Sequence, residues 1–260
     1  MPNIQAIRRE RHATQRWQRN THYAFAATEA FTPLVVQELP PAMQTMPIAF
    51  LESDGAYQPV AMQGLAPGKN LFVAANGQWV GAYIPAALRA YPFVLATTAQ
   101  QQQVLCVDED SGLLSETAGE PFMDEAGQPS PALGAVFQLL RTVQANRAVT
   151  QNICALLQKH QLIQPWPLKI KNDAGEQTVQ GLFRIDEAAL NRLGAQALVE
   201  LRNAGALLCA YCQLLSMQNV QTLGQLAGIH AQAGATAPLP TKGKELDLSF
   251  LEGSETFRFS

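Results

Sequence analysis

Apolar residues in the first half of the chain come in short runs broken by turn residues, which predicts strands. Residues 32–39 form one such run, closed by Pro40-Pro41. Residues 48–52 form another, ended by Ser53-Asp54-Gly55. Residues 60–65 and 70–74 flank Pro67-Gly68 and read as a hairpin. Asn76-Gly77, where both residues tolerate positive φ, predicts a second hairpin joining 71–74 to 78–84. One helical turn is expected over 86–90 after Pro85, with strands over 93–97 and 104–108. The polar, Gly- and Pro-marked stretch 110–131 reads as a long loop.

In the second half the period changes to that of a helix. Leu133, Val136, Phe137, Leu140 and Val143 share one face, as do Ile153, Leu156 and Leu157 before the stop at Pro165-Trp166-Pro167. A hairpin is predicted near 168–185, turning at 172–175. Asp186 suits a helix N-cap, because its carboxylate can accept from the free backbone N–H groups of a first turn. Leu190, Leu193, Leu198 and Leu201 continue the helical pattern, and Gly205 suits the left-handed position after a helix. Two more helices are predicted over 206–216 and 220–233.

The fold class is therefore α+β: an N-terminal, mainly antiparallel β region with hairpins, then a mainly helical C-terminal region. The expected layout is a basic flexible arm over 1–22 and a domain over 23–233. That domain divides into a β-rich part (23–110), a loop (111–131) and a mostly helical part (132–233). A mobile tail is expected over 234–260.

Charge adds to this picture. Only 15% of the 260 residues are charged, which leaves a largely neutral surface open to a partner or to a homo-oligomer. The net charge of −3 argues against nucleic-acid binding. Residues 1–22 hold five arginines against Glu10, a local +4 that leaves −7 for the remainder. No apolar run follows these arginines as a secretory leader requires, and no stretch is long and apolar enough for a membrane span. A cytoplasmic location is expected. Cys106, Cys154, Cys209 and Cys212 are then free thiols, and the Cys209–Cys212 pair, set inside a helical run, reads as small core residues.

The chain contains no GxGxxG after a strand, no P-loop, no HExxH and no GxSxG. His12, His22, His160 and His230 are scattered, and none is followed two residues later by a carboxylate. Asp108-Glu109-Asp110 has part of a calcium-loop spacing, but the glycine and the distal Glu are misplaced, so a strand-end turn is expected. No catalytic set, metal or cofactor is predicted.

The most informative text is 64–95, GLAPGKNLFVAANGQWVGAYIPAALRAYPFVL. It resembles the central signature of the bacterial SapC family: a Gly-Leu-x-x-Gly-x-Asn-Leu-Phe block, a Trp, then Tyr-x-Pro-x-x-Leu-Arg-x-Tyr-Pro-Phe. Weaker likenesses at 47–50, 105–108, 122–127 and 181–186 extend the resemblance over about 25–230. The family is linked to bacterial surface-layer loci, and members occur beside halogenase-like and iron-oxygenase-like genes. The resemblance transfers no catalytic residues.

The signature supplies the candidate binding residues: Asn70, Trp79, Tyr83, Arg89, Tyr91, Phe93 and Asp108. Aromatics around one guanidinium suit a peptide, an aromatic side chain or a carboxylate. The same residues also fit structural roles, with Arg89 tying a loop to Asp108 or to carbonyls and Asn70 satisfying a turn. The expected geometry is one continuous surface over 70–93 beside Asp108, with Arg89 paired. The leading functional expectation is a non-catalytic accessory protein that recognises a protein or peptide partner. The alternatives are an enzyme of unfamiliar class, with Asp108, Arg89 and Asn70 as its polar groups, or a partner subunit of a halogenase- or oxygenase-associated enzyme that modifies peptides or aromatics, and a surface-layer structural component.

Overall fold

The structure is a computed structural model that describes residues 2–172 and 175–235. The chain opens with β1 (Ile4–Ala6), α1 (Arg9–His12) and β2 (Arg16–Trp17), then β3 (Phe31–Pro33) and α2 (Leu39–Ala42). A hairpin of β4 (Ile48–Ser53) and β5 (Ala56–Met62) follows, and then α3 (Ala86–Arg89), β6 (Phe93–Thr97) and β7 (Gln103–Asp108). The short strands β8 (Leu114–Ser115) and β9 (Glu120–Pro121) precede the long helix α4 (Pro131–Lys159). Strands β10 (Ile163–Pro165), β11 (Leu168–Asn172), β12 (Gly175–Val179) and β13 (Phe183–Ile185) come next. The chain then becomes helical through α5 (Glu187–Asn191), α6 (Ala195–Asn203), α7 (Ala206–Ser216) and α8 (Val220–Ala235). The fold is α+β, with the expected order of antiparallel sheets followed by helices.

The largest sheet has the order β10-β13-β4-β5-β3, and β1-β7-β6 form a second. The β4–β5 turn puts Asp54 and Gly55 at φ 52° and 77°, the positive pair that a tight hairpin needs. The main core packs Phe50, Met62 and Ile185 of the large sheet against Ile153 and Leu157 of α4, Leu201 of α6 and Cys209 of α7. A smaller core joins Trp17, Phe93, Val107, Phe122 and Leu133. Helix α4 links the two, its first turns in the small core and its last turns in the main one. It runs unbroken through the polar stretch 144–152 because no Gly or Pro interrupts it. Within that stretch, Thr150 donates to the Asn146 carbonyl at 2.6 Å and accepts the Val36 N–H at 2.9 Å.

Several local expectations need correction. Residues 2–22 do not form a free arm. Strand β1 pairs with β7, and β2 lies between β8 and β9, which also gives structure to the expected loop 111–131. Arg11 clasps Glu109, and His12 is fully buried against Phe122. The run 32–39 leaves the sheet at Pro33, and Pro40-Pro41 open α2 instead of closing a strand, since first-turn prolines forfeit no helical hydrogen bond. Residues 60–65 and 70–74 do not pair as a hairpin, because β5 is already held between β4 and β3. Asn76-Gly77 does turn, with Gly77 at φ 78°, and Val73 faces Trp79 across it between the Ala74 N–H to Gln78 carbonyl and Val80 N–H to Phe72 carbonyl bonds, but the pairing extends no further toward residue 84. The Asn70 side chain takes the Phe72 N–H that a ladder partner would have accepted.

Helix α7 spans 206–216 as expected, and all four cysteines are buried free thiols. Burial pushes the Cys154 thiol up to about 12 and raises those of Cys106, Cys209 and Cys212. The Asp186 carboxylate caps α5 by accepting from Ala189 N–H at 2.9 Å. The expected tail 234–260 lies outside the described residues from 236 onward, as do positions 173–174 of the 168–185 hairpin.

Candidate functional site

The expected continuous surface divides into two parts. Asn70 and Trp79 belong to the scaffold. Asn70 is buried, donates to the Ala26 carbonyl and Gln63 Oε1 at 3.1 Å each, and accepts from Phe72 N–H at 2.9 Å. Trp79 stacks on Phe72 with centroids 5.5 Å apart, meets Tyr23 edge-on at 5.6 Å, and donates to the Tyr83 carbonyl at 2.9 Å. Asp108 is likewise structural. It is buried, accepts from Asn3 N–H at 2.9 Å and Asp110 N–H at 3.2 Å, and so caps the strand-end turn.

Tyr83, Arg89, Tyr91 and Phe93 do come together, along one side of α4. Pro85 ends an extended segment, and α3 carries Arg89 out to solvent. Arg89 lines two neighbouring crevices. The larger encloses about 380 Å³, with Trp17, Tyr23, Tyr91 and Phe93 on one wall and Ala135 and Leu139 of α4 on the other. The smaller, about 200 Å³, lies between Glu38, Tyr83 and Arg89 and α4 residues Leu139, Val143 and Asn146.

Arg89 is exposed and forms no ion pair among the described residues. The expected pairing with Asp108 is absent, and the guanidinium lies over the Tyr83 ring, 5.7 Å from its centroid. An exposed guanidinium needs no buried counter-charge, since water satisfies it. Tyr91 stacks face to face on Phe25 at 3.9 Å. Phe93 is buried edge-on to Trp17 at 4.8 Å.

Beneath Arg89 lies a polar anchor that the sequence reading missed. Glu38 is only 6% exposed. Its Oε1 accepts from the Tyr83 hydroxyl at 2.8 Å and from Ala86 N–H at 2.6 Å, and its Oε2 accepts from Val35 N–H at 3.1 Å. One carboxylate thus fixes both Tyr83 and the first turn of α3. Burial, reinforced by Glu38, raises the Tyr83 phenol, and burial also raises those of Tyr23 and Tyr91. All three stay protonated hydrogen-bond donors at neutral pH.

The family model for SapC matches residues 7–223. The chain belongs to the SapC family. No curated protein and no solved structure matches it at a significant level. The SapC match includes the N-terminal segment from residue 7, so Trp17, Asn20 and Tyr23 lie inside the family's region together with the signature block. Trp17 was the available sequence signal for this part of the site: a lone Trp in a basic stretch has an apolar surface that must be covered. The small α4 residues on the far wall, Ala132 and Ala135, carry no chemistry that a sequence motif would reveal. Among the described residues no cluster of three or more His, Cys, Asp or Glu is arranged to hold a metal, and no helix is long and apolar enough to cross a membrane.

Proposed function

We propose that this SapC protein is a non-catalytic accessory protein that captures a segment of a protein or peptide partner in the crevice beside Arg89. The observation that carries this reading is the exposed Arg89, without a carboxylate partner among the described residues, on the lining of an aromatic-walled crevice of about 380 Å³. A crevice of that size suits one or two side chains, and an aromatic-plus-arginine lining is the usual composition of a binding hot spot. Four unpaired thiols, three of them in the main core, fit the reducing cytoplasm.

The test compares affinity capture from the native cell by the wild-type protein and by Arg89→Ala, followed by direct binding of the identified segment. Arg89→Ala is expected to lower affinity at least tenfold while leaving the melting temperature within about 2 °C, because an exposed side chain contributes little to stability. A melting drop typical of a broken core, or unchanged affinity for the segment, would refute the reading.

Self-association has a separate basis. The outer face of α7 presents Leu208, Tyr211 and Leu215 at 53%, 49% and 57% exposure, with Ile229 of α8 at 60%. Residues 206–235 contain no Asp, Glu, Lys or Arg. Such a face can meet its own copy about a two-fold axis without juxtaposing like charges. We therefore assign it to a homodimer. Light scattering should give a dimer for the wild type and a monomer for Leu208→Glu/Leu215→Glu with unchanged melting. A wild-type monomer at high micromolar concentration would overturn this assignment.

A further inference from the structure

The chemistry of the larger crevice specifies its occupant more closely, on the reading that this crevice is the binding site. Trp17 lines it and is only 3% exposed, and its indole Nε1 has no hydrogen-bond partner among the described residues. Asn20 also lines it, and its Nδ2 is buried and equally unpartnered. Buried N–H groups are nearly always paired in folded proteins, so two orphaned donors on one crevice mark a place where an acceptor belongs.

The charge on the crevice lining has the same sense, with a further carboxylate, Asp108, behind it against Tyr91. Arg19 and Arg89 are on its lining, and no Asp or Glu is. Arg19 is committed to Glu120 at 2.6 Å, whereas Arg89 has no carboxylate partner among the described residues. The crevice therefore has two unpartnered buried donors and one solvated positive charge that no carboxylate neutralises among the described residues. A carboxylate supplies two acceptor oxygens and one negative charge, and the planar guanidinium fork matches its geometry.

The remaining wall is apolar: Ile84, Phe93, Ala132, Ala135, Val136 and Leu139. That lining disfavours a bare inorganic anion, which would face hydrocarbon on most of its surface. It suits a carboxylate carried on an apolar body. We propose that the crevice binds an apolar carboxylate, of the kind found at the C-terminus of a peptide that ends in a hydrophobic residue.

The test titrates the full chain with the tripeptide N-acetyl-Gly-Gly-Phe as free acid and as C-terminal amide, and with 3-phenylpropionate, read by calorimetry and by tryptophan fluorescence. The acid is expected to bind at least tenfold tighter than the amide. Arg89→Ala should abolish that preference, and Arg89→Lys should retain part of it. Tighter binding of the tripeptide acid than of 3-phenylpropionate assigns the carboxylate to a peptide terminus, and equal binding assigns it to a small free acid. Equal binding of acid and amide, or no binding of either at millimolar concentration, overturns the proposal. If Arg89→Ala still weakens the captured partner segment in that case, only the carboxylate inference fails and the partner-binding reading stands.

Discussion

Trp17→Ala is expected to cost the fold about 3–5 kcal/mol, the range for emptying a buried aromatic site. The side chain is 3% exposed and packs edge-on against Phe93 at 4.8 Å, in a core shared with Val107, Phe122 and Leu133. Burying about 200 Å² of aromatic surface at about 25 cal/mol/Å² gives near 5 kcal/mol, so the two estimates agree. The small core has few members, and its helix, α4, also serves the main core, so the loss should propagate as one cooperative transition. Deleting residues 1–20 should do more damage still. It strips β1 from the edge of β7, removes β2 from between β8 and β9, and uncovers Phe122. Urea denaturation followed by circular dichroism measures both. A cost below about 1 kcal/mol for Trp17→Ala would restore the picture of a dispensable arm.

The truncation should also change the acid side of the stability profile. The hydrogen bond and charge of Arg11 hold the Glu109 carboxyl below its ordinary value. A carboxyl depressed in the folded state stabilises at pH above its unfolded value, and that contribution disappears as pH falls through the depressed one. The wild type should therefore lose this increment as pH falls through the unfolded and then the depressed Glu109 value, and the truncated chain should not.

What the sequence made legible was periodicity and local chemistry. The strands over 93–97 and 104–108, the helix over 206–216 and the Asp186 cap follow from runs or caps contained in a few consecutive residues. The N-terminal segment was opaque for a physical reason. Its strands are three and two residues long, too short for any period to register, and their pairing partners lie about 100 residues away. Its arginines looked like a solvated charge cluster because the carboxylates that receive two of them, Glu109 and Glu120, are equally remote. The candidate block was half legible. Tyr83, Arg89, Tyr91 and Phe93 sit in one signature and line the crevices, whereas Asn70, Trp79 and Asp108 share the resemblance but serve the backbone. A pattern match cannot separate these roles, since a residue that pins a loop is as specific in type as one that contacts a ligand.

Glu38 is the residue on which stability and the proposed binding meet, and Glu38→Ala is expected to cost about 2–4 kcal/mol. Three donors lose their acceptor at once: the Tyr83 hydroxyl, Ala86 N–H and Val35 N–H. Each buried donor left unpaired costs about 1–3 kcal/mol, reduced here because the half-buried Tyr83 hydroxyl can turn toward water. Glu38→Gln separates shape from charge. Its carbonyl can still accept from Tyr83 and Ala86, but its NH₂ then confronts the Val35 N–H, donor against donor. The Gln variant should therefore fall between wild type and Ala in a denaturant titration. The binding readout discriminates further. Glu38 fixes the first turn of α3, and that turn carries Arg89, so Glu38→Ala should weaken segment capture at temperatures where the variant remains fully folded. Glu38→Gln, which keeps the Ala86 contact, should restore most of it. Full capture by a folded Glu38→Ala protein would show that α3 holds Arg89 in place without this carboxylate, and that the anchor serves stability alone.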